Sequence, residues 1–102
     1  MGLFSFLFGD PVTDALKKGA VIIDVRNAYE YDQGKVPGSI NIPVDRISAS
    51  IERIRDMKKP VIFCCSSGSR SGDAKTKLKA AGISEVYNGG SWQSLLKKVQ
   101  SL

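Results

Sequence analysis

Short apolar β-branched runs alternate with segments of helical spacing along this chain, and the alternation predicts an α/β fold. The arrangement expected is three layers, α/β/α, around a parallel sheet of four to five strands. Three observations carry that expectation. The runs "AVIIDV" (20–25) and "VIFCC" (61–65) are too short for buried helices and rich in β-branched residues. Each is followed by a loop of small or polar residues and then by a helix signal. The length, 102 residues, suits one domain spanning 1–102, with 42% apolar and 25% charged residues as in ordinary globular proteins.

The elements follow in order. Asp10-Pro11 pairs an N-cap with proline at the first helical position, and Gly19 is a stop, so a helix is expected over 11–18. The run 20–25 is a buried strand. "NAYEYDQG" (27–34) holds one or two helical turns ending at Gly34. "VPGSINIP" (36–43) turns at Pro37-Gly38 and gives a short strand ended by Pro43. Asp45 is placed to cap a helix with Ile47, Ile51 and Ile54 on one face. After Pro60 comes the strand 61–65, then a helix capped by Ser69 or Ser71 and ended by Gly82. "EVYN" (85–88) is the last strand. "GGS" (89–91) turns into a final helix with Trp92, Leu95, Leu96 and Val99 on its apolar side. The apolar start, "MGLFSFLFG", is a candidate for a fifth strand.

That start lacks a basic region and a cleavage site, Phe6 breaks the myristoylation pattern, and it is too short to span a bilayer. It is expected to pack on the domain, and the protein is expected in the cytoplasm. The net charge is +5. Lys58, Lys59, Lys75, Lys77, Lys79, Lys97 and Lys98 read as solvated helix faces and not as a nucleic-acid surface, since no aromatic interleaving accompanies them. A positive field still favours a small anionic substrate.

The chain has no histidine and two cysteines. Papain-like chemistry is excluded, because it needs an imidazole. Two adjacent cysteines make neither a tetrahedral zinc site nor a disulfide framework. No metal or organic cofactor is implied. Both cysteines lie in "FCCSSGSRSG" (63–72), where a strand end meets a helix start. In a parallel sheet that is where ligands sit. A loop of small residues, Ser66 to Arg70, can curl its N–H groups inward as an anion nest, with a helix behind it. A thiol at its edge has its thiolate favoured and needs no general base. Arg70 can add to that or hold the loop.

These residues resemble a family. "CSSGSRS" (65–71) is similar to the C-x-x-G-x-R-S active-site loop of rhodanese-domain sulfurtransferases. Upstream, "IIDVRNAYEYDQGKVPGSINIP" (22–43) resembles the family's D-V-R to N-I-P segment. Downstream, "VYNGGSW" (86–92) resembles its glycine-glycine region. Together they cover about residues 20–95 and are most similar to a short, single-domain member. Two positions depart: Lys35 stands where the family usually has histidine, and Ser39 where it has alanine.

The resemblance implies a two-step transfer through a Cys65 persulfide. Ser66, Ser67, Gly68, Ser69 and Arg70 would bind the substrate. The donor would be a small sulfur anion such as thiosulfate, or a persulfide of another protein; the acceptor would be a thiol or cyanide. Since Ser66, Ser67 and Ser69 put no cation inside the loop, affinity for a small dianion is expected to be poor. Two other classes stay open. Counted from Cys64, five residues precede Arg70, the spacing of phosphatases, some on the same fold; counted from Cys65, four do, and Gly68 falls at the sulfurtransferase position. A non-catalytic module that carries sulfur or binds a partner is the other. If Cys65 faces the site, strand alternation puts Cys64 in the core. Asp24, Arg26 and Glu30 are read as ion pairs and hydrogen bonds that fix the loop, Trp92 as a cover for the final helix, and Gly89 and Gly90 as a tight turn.

Overall fold

A computed structural model of the protein describes residues 9–102. The expectations placed on residues 1–8, a fifth strand and packing of the apolar start, lie outside the described residues. Within them the expected architecture is present: a four-stranded parallel sheet in the order β2-β1-β3-β4, with β1 Val21–Asp24, β2 Ile40–Asn41, β3 Val61–Cys65 and β4 Val86–Ser91. Among the described residues five α-helices accompany it: α1 Pro11–Lys17, α2 Ala28–Gln33, α3 Ile51–Met57, α4 Ser69–Ala80 and α5 Trp92–Gln100.

Strand alternation sorts the core onto two faces. Val61, Phe63 and Cys65 point to one face, with Ile23, Ile47, Ile54, Ala74 and Leu78. Ile62 and Cys64 point to the other, with Ala15, Val36 and Leu95. α3 and α4 therefore cover the first face, and α1 and α5 the second. The chain leaves β1 for β2 on one side and later returns to β3 on the other. The order reverses between β1 and β3, so their carboxyl ends form the crevice where such sheets bind ligands.

Local chemistry explains most boundaries. The Asp10 carboxylate accepts from the Val12 amide at 3.1 Å and caps α1, with Pro11 behind it. Asn27 and Glu30 form a reciprocal capping box on α2. Ser91 accepts from the Ser94 amide and caps α5.

Three expectations need correction. Asp45 does not cap a helix: it sits in a 3-10 turn, Val44–Arg46, followed by a second, Ser48–Ser50, and α3 begins only at Ile51. Ile47 and Ile54 are nonetheless buried, because the tighter turns keep both aimed at the core. Neither Ser69 nor Ser71 caps α4: Gly68 occupies that position in the left-handed region, with no side-chain cap. Finally, Gly89 is no turn residue, since β4 runs on to Ser91 with an irregular register against β3 between Phe63 and Cys65. A Cβ on Gly89 would stand 2.8 Å from Ile62 Cγ2 and 3.0 Å from the Phe63 carbonyl oxygen, so the close approach of β4 to β3 requires glycine.

Candidate active site

The loop between β3 and α4 hangs on the carboxyl end of the central strand pair. Gly68, with φ +96°, turns the chain there, a conformation that side-chain-bearing residues adopt only with strain. The turn sends the Gly68 amide back toward the strand, where it donates to Cys65 Sγ at 3.0 Å. Among the described residues that is the well-formed hydrogen bond the sulfur receives. Burial by itself pushes the Cys65 thiol up. The Ser71 hydroxyl and the amides of Ser71, Ser67 and Gly68 outweigh it, and the net direction is below the ordinary thiol value.

Ser71 gains meaning from its surroundings. Its side chain is fully buried, and its hydroxyl makes no well-formed hydrogen bond. It sits in the first turn of α4, and its hydroxyl is among the groups that lower the Cys65 thiol. Sequence reasoning took it only for a capping candidate.

Cys64, one residue back, faces the other way. Burial is the first reason its thiol is pushed up; the Asp24 carboxylate beside it adds to this, and Arg26 only partly offsets it. Asp24 is the register partner of Cys64 on β1. It is wholly buried and held by Arg26, whose Nη2 lies 2.7 Å from Oδ2 and whose Nε donates to Oδ1 at 2.9 Å. Arg26 also donates to the carbonyls of Glu30 and Gly34, at 3.1 and 2.6 Å, and lies 5.0 Å from the Trp92 ring centroid. The pair therefore ties β1 to α2 and to the start of α5, as the structural reading expected.

Glu30 and Arg70 clamp the loop from outside. Arg70 Nη1 and Nη2 donate to the two carboxylate oxygens at 2.7 and 3.1 Å, and the Ser66 hydroxyl donates to Oε2 at 3.1 Å. Arg70 Nη2 also donates to the Ser66 hydroxyl at 3.0 Å. The Arg70 guanidinium is the first reason the Glu30 carboxyl is lowered to about 2. Of the two roles open to Arg70, holding the loop is the one its bonds describe.

Ser66, Ser67 and Ser69 are exposed at the rim, and Gly68 and Arg70 are half-buried. The structure thus brings Cys65, Ser66, Ser67, Gly68 and Arg70 into one constellation, with Ser69 opening α4 beside it. Two residues of the setting escaped sequence reasoning. Asn88 Nδ2 donates to the Gly68 carbonyl at 2.9 Å and pins the loop to β4. Asn41 Nδ2 donates to the Asp24 and Arg26 carbonyls at 3.0 and 2.9 Å and fixes the neighbouring strand end. Both were visible only as polar residues at strand ends. Lys35, at the position of the family's histidine, is exposed and reaches over the Tyr31 ring at 4.7 Å.

The chain is 38% identical over 69 residues to "Uncharacterized protein YqhL" of Bacillus subtilis, which takes in 68% of this chain and 54% of that one. It therefore spans about half the length of that relative. It is 32% identical over 72 residues to "Thiosulfate sulfurtransferase GlpE" of Pseudomonas savastanoi, covering 71% of this chain and 67% of the relative. Among solved structures, "rhodanese with anions from E. coli" superposes with a TM-score of 0.67 at 34% identity, covering 74% of this chain and 89% of that one. The rhodanese-like domain family profile matches residues 10–97. A match of that extent, over a sheet and a cysteine loop of this form, means that the chain belongs to the rhodanese-like domain family.

Proposed function

We propose that this protein, as one rhodanese-like domain over residues 1–102, moves a sulfane sulfur from a donor to a thiophilic acceptor through a persulfide on Cys65. The observation that carries the reading is the Cys65 sulfur, held at 3.0 Å by the Gly68 amide and turned toward the thiolate by its loop. In the first step the thiolate attacks the outer sulfur of thiosulfate. The donor's S–S bond breaks, and sulfite leaves with the bonding pair. The charge then rests on the outer sulfur of the persulfide, where inward N–H groups stabilise it as an oxyanion hole stabilises oxygen. In the second step cyanide or a thiolate attacks that sulfur, takes it, and regenerates the Cys65 thiolate. Ser66, Ser67, Gly68, Ser69 and Arg70 form the rim through which the donor is bound, and a persulfide on another protein is an equally suitable donor. Chemistry through Cys64 has no support from geometry, because Cys64 is fully buried in the core cluster that contains Ala15, Val36 and Leu95.

The test is the mass of the intact protein after thiosulfate. A gain of one sulfur atom, discharged by cyanide, is expected in the parent chain and in Cys64→Ser, and absent in Cys65→Ser. A gain that survives Cys65→Ser would move the reaction to another residue.

A further inference from the structure

We propose that a cleft on the same edge of the sheet as the loop, with Arg46 and Arg53 as its ligands, binds the anionic end of a low-molecular-weight sulfur substrate. This rests on the sulfurtransferase reading and adds a specificity site to it. The cleft has a volume of about 330 Å³ and is lined by Ala28, Asn41, Pro43, Arg46, Ser50 and Arg53, with Ile42 at its floor. No carboxylate lines it.

Most of the arginines are already committed to carboxylates. The chain has five. Arg26 holds Asp24, Arg70 holds Glu30, and Arg55 holds Glu52. Arg46 and Arg53 make no side-chain hydrogen bond or ion pair among the described residues, and both line this one cleft. The loop itself offers a charged substrate no free cation among the described residues: its three serines are neutral, and Arg70 is paired with Glu30. An anionic donor or acceptor must therefore find its counter-charge nearby, and these two guanidiniums supply it. Guanidinium favours carboxylate or phosphate, which it grips with two parallel N–H bonds.

Position supports the same conclusion. Asn41 in the cleft wall fixes the carbonyls at the end of β1. Ala28 opens α2, which carries the Glu30 that holds Ser66 and Arg70. The turn bearing Arg46 packs against α4, into which the loop leads. The cleft thus lies on the carboxyl edge of the sheet, as the loop does. A second cleft, lined by Lys58, Lys59 and Glu85, lies at the opposite edge, where β3 and β4 begin, and contains a carboxylate.

Two measurements test the site. In Cys65→Ser protein, which cannot turn over, 4′-phosphopantetheine and mercaptosuccinate are titrated against the arginine Nε–H resonances, with pantetheine and thioglycerol as uncharged controls. Shifts of Arg46 and Arg53 with an anionic thiol, and none with its control, are expected; which anion acts separates phosphate from carboxylate. In persulfide-loaded parent protein, the ratio of kcat/KM for the anionic over the uncharged thiol is compared with that of the Arg46→Gln/Arg53→Gln variant. The ratio should fall about tenfold, the scale of one well-placed charged contact. Titrations that move neither arginine, or an unchanged ratio, overturn the cleft proposal. If the arginines shift but no persulfide ever forms, the cleft stands and the sulfurtransferase reading falls.

Discussion

The two faces of β3 make opposite use of the same side chain. Cys64 and Cys65 are chain neighbours, both fully buried, yet one thiol is pushed up and the other down. Desolvation is the first cause in each case and has the same sign. What differs is what faces the sulfur. Cys64 meets apolar side chains and a carboxylate; Cys65 meets amides and a hydroxyl. Burial alone therefore does not silence a thiol, and inward donors can reverse its effect. A bent loop on one face of a strand can create a nucleophile while the other face remains ordinary core.

The strongest way to strain this contrast is on the Cys64 side. Asp24→Asn leaves Arg26 buried without its charge partner, and loss of one member of a buried pair costs about 3 kcal/mol. Denaturant unfolding should show that loss. Cys64 should still resist alkylation in the folded variant, because burial and not the Asp24 charge is the main reason its thiol is raised. Rapid labelling of Cys64 in folded protein would reverse that ranking.

The loop is broken more directly at Gly68. Alanine there must hold φ near +96°, costing about 1–2 kcal/mol, and its Cβ would stand 3.4 Å from the Gly90 Cα. Relief of that strain turns the amide away from Cys65. Alkylation of Cys65 should then reach half its maximal rate at a higher pH than in the parent, since the thiolate has lost a donor. An unchanged pH profile would mean that the Gly68 amide contributes nothing to ionisation.

How much of this could be read in advance follows the range of the interactions. The β-branched runs fixed β1 and β3, and period-two alternation put Cys64 and Cys65 on opposite faces before any coordinates. Gly68 and Arg70 were legible through the resemblance of residues 65–71 to the C-x-x-G-x-R-S loop. Asn88 was not: its bond to the Gly68 carbonyl joins residues twenty apart in sequence and depends on the β3–β4 register, which no local pattern encodes. Ser71 was misread for a related reason. A serine in a first helical turn signals a cap by itself; only the left-handed turn at Gly68 moves the cap back and frees that hydroxyl for the sulfur.

Ser71 tests that last point. Ser71→Ala removes the hydroxyl and keeps the helix and the amide. Second-order alkylation of Cys65 at neutral pH should slow by less than about threefold, because the hydroxyl makes no well-formed hydrogen bond to the sulfur, and its half-maximal pH should move up slightly. The buried orphan oxygen also disappears, so stability should hold or rise. A stability loss with no change in the pH profile would make Ser71 a packing residue only.

The smallest effect is expected at the outer clamp. Both Glu30 and Arg70 side chains are about one-third exposed, at 31% and 35%, so water screens their attraction and the pair stabilises by under about 1 kcal/mol. Its sign with pH is definite. The folded Glu30 carboxyl is lowered from 4.5 to about 2, so its contribution is complete above 4.5 and is lost as pH falls through about 2. The parent chain should therefore exceed Glu30→Gln in unfolding free energy at pH 6, with the gap narrowing below 4.5 and closing near pH 2. Cys65 ionisation should change little in this variant, because Asn88 still holds the Gly68 carbonyl from β4. A large upward move of the Cys65 titration on losing Glu30 would instead make the rim, and not the strand-side anchor, the element that aims the amides.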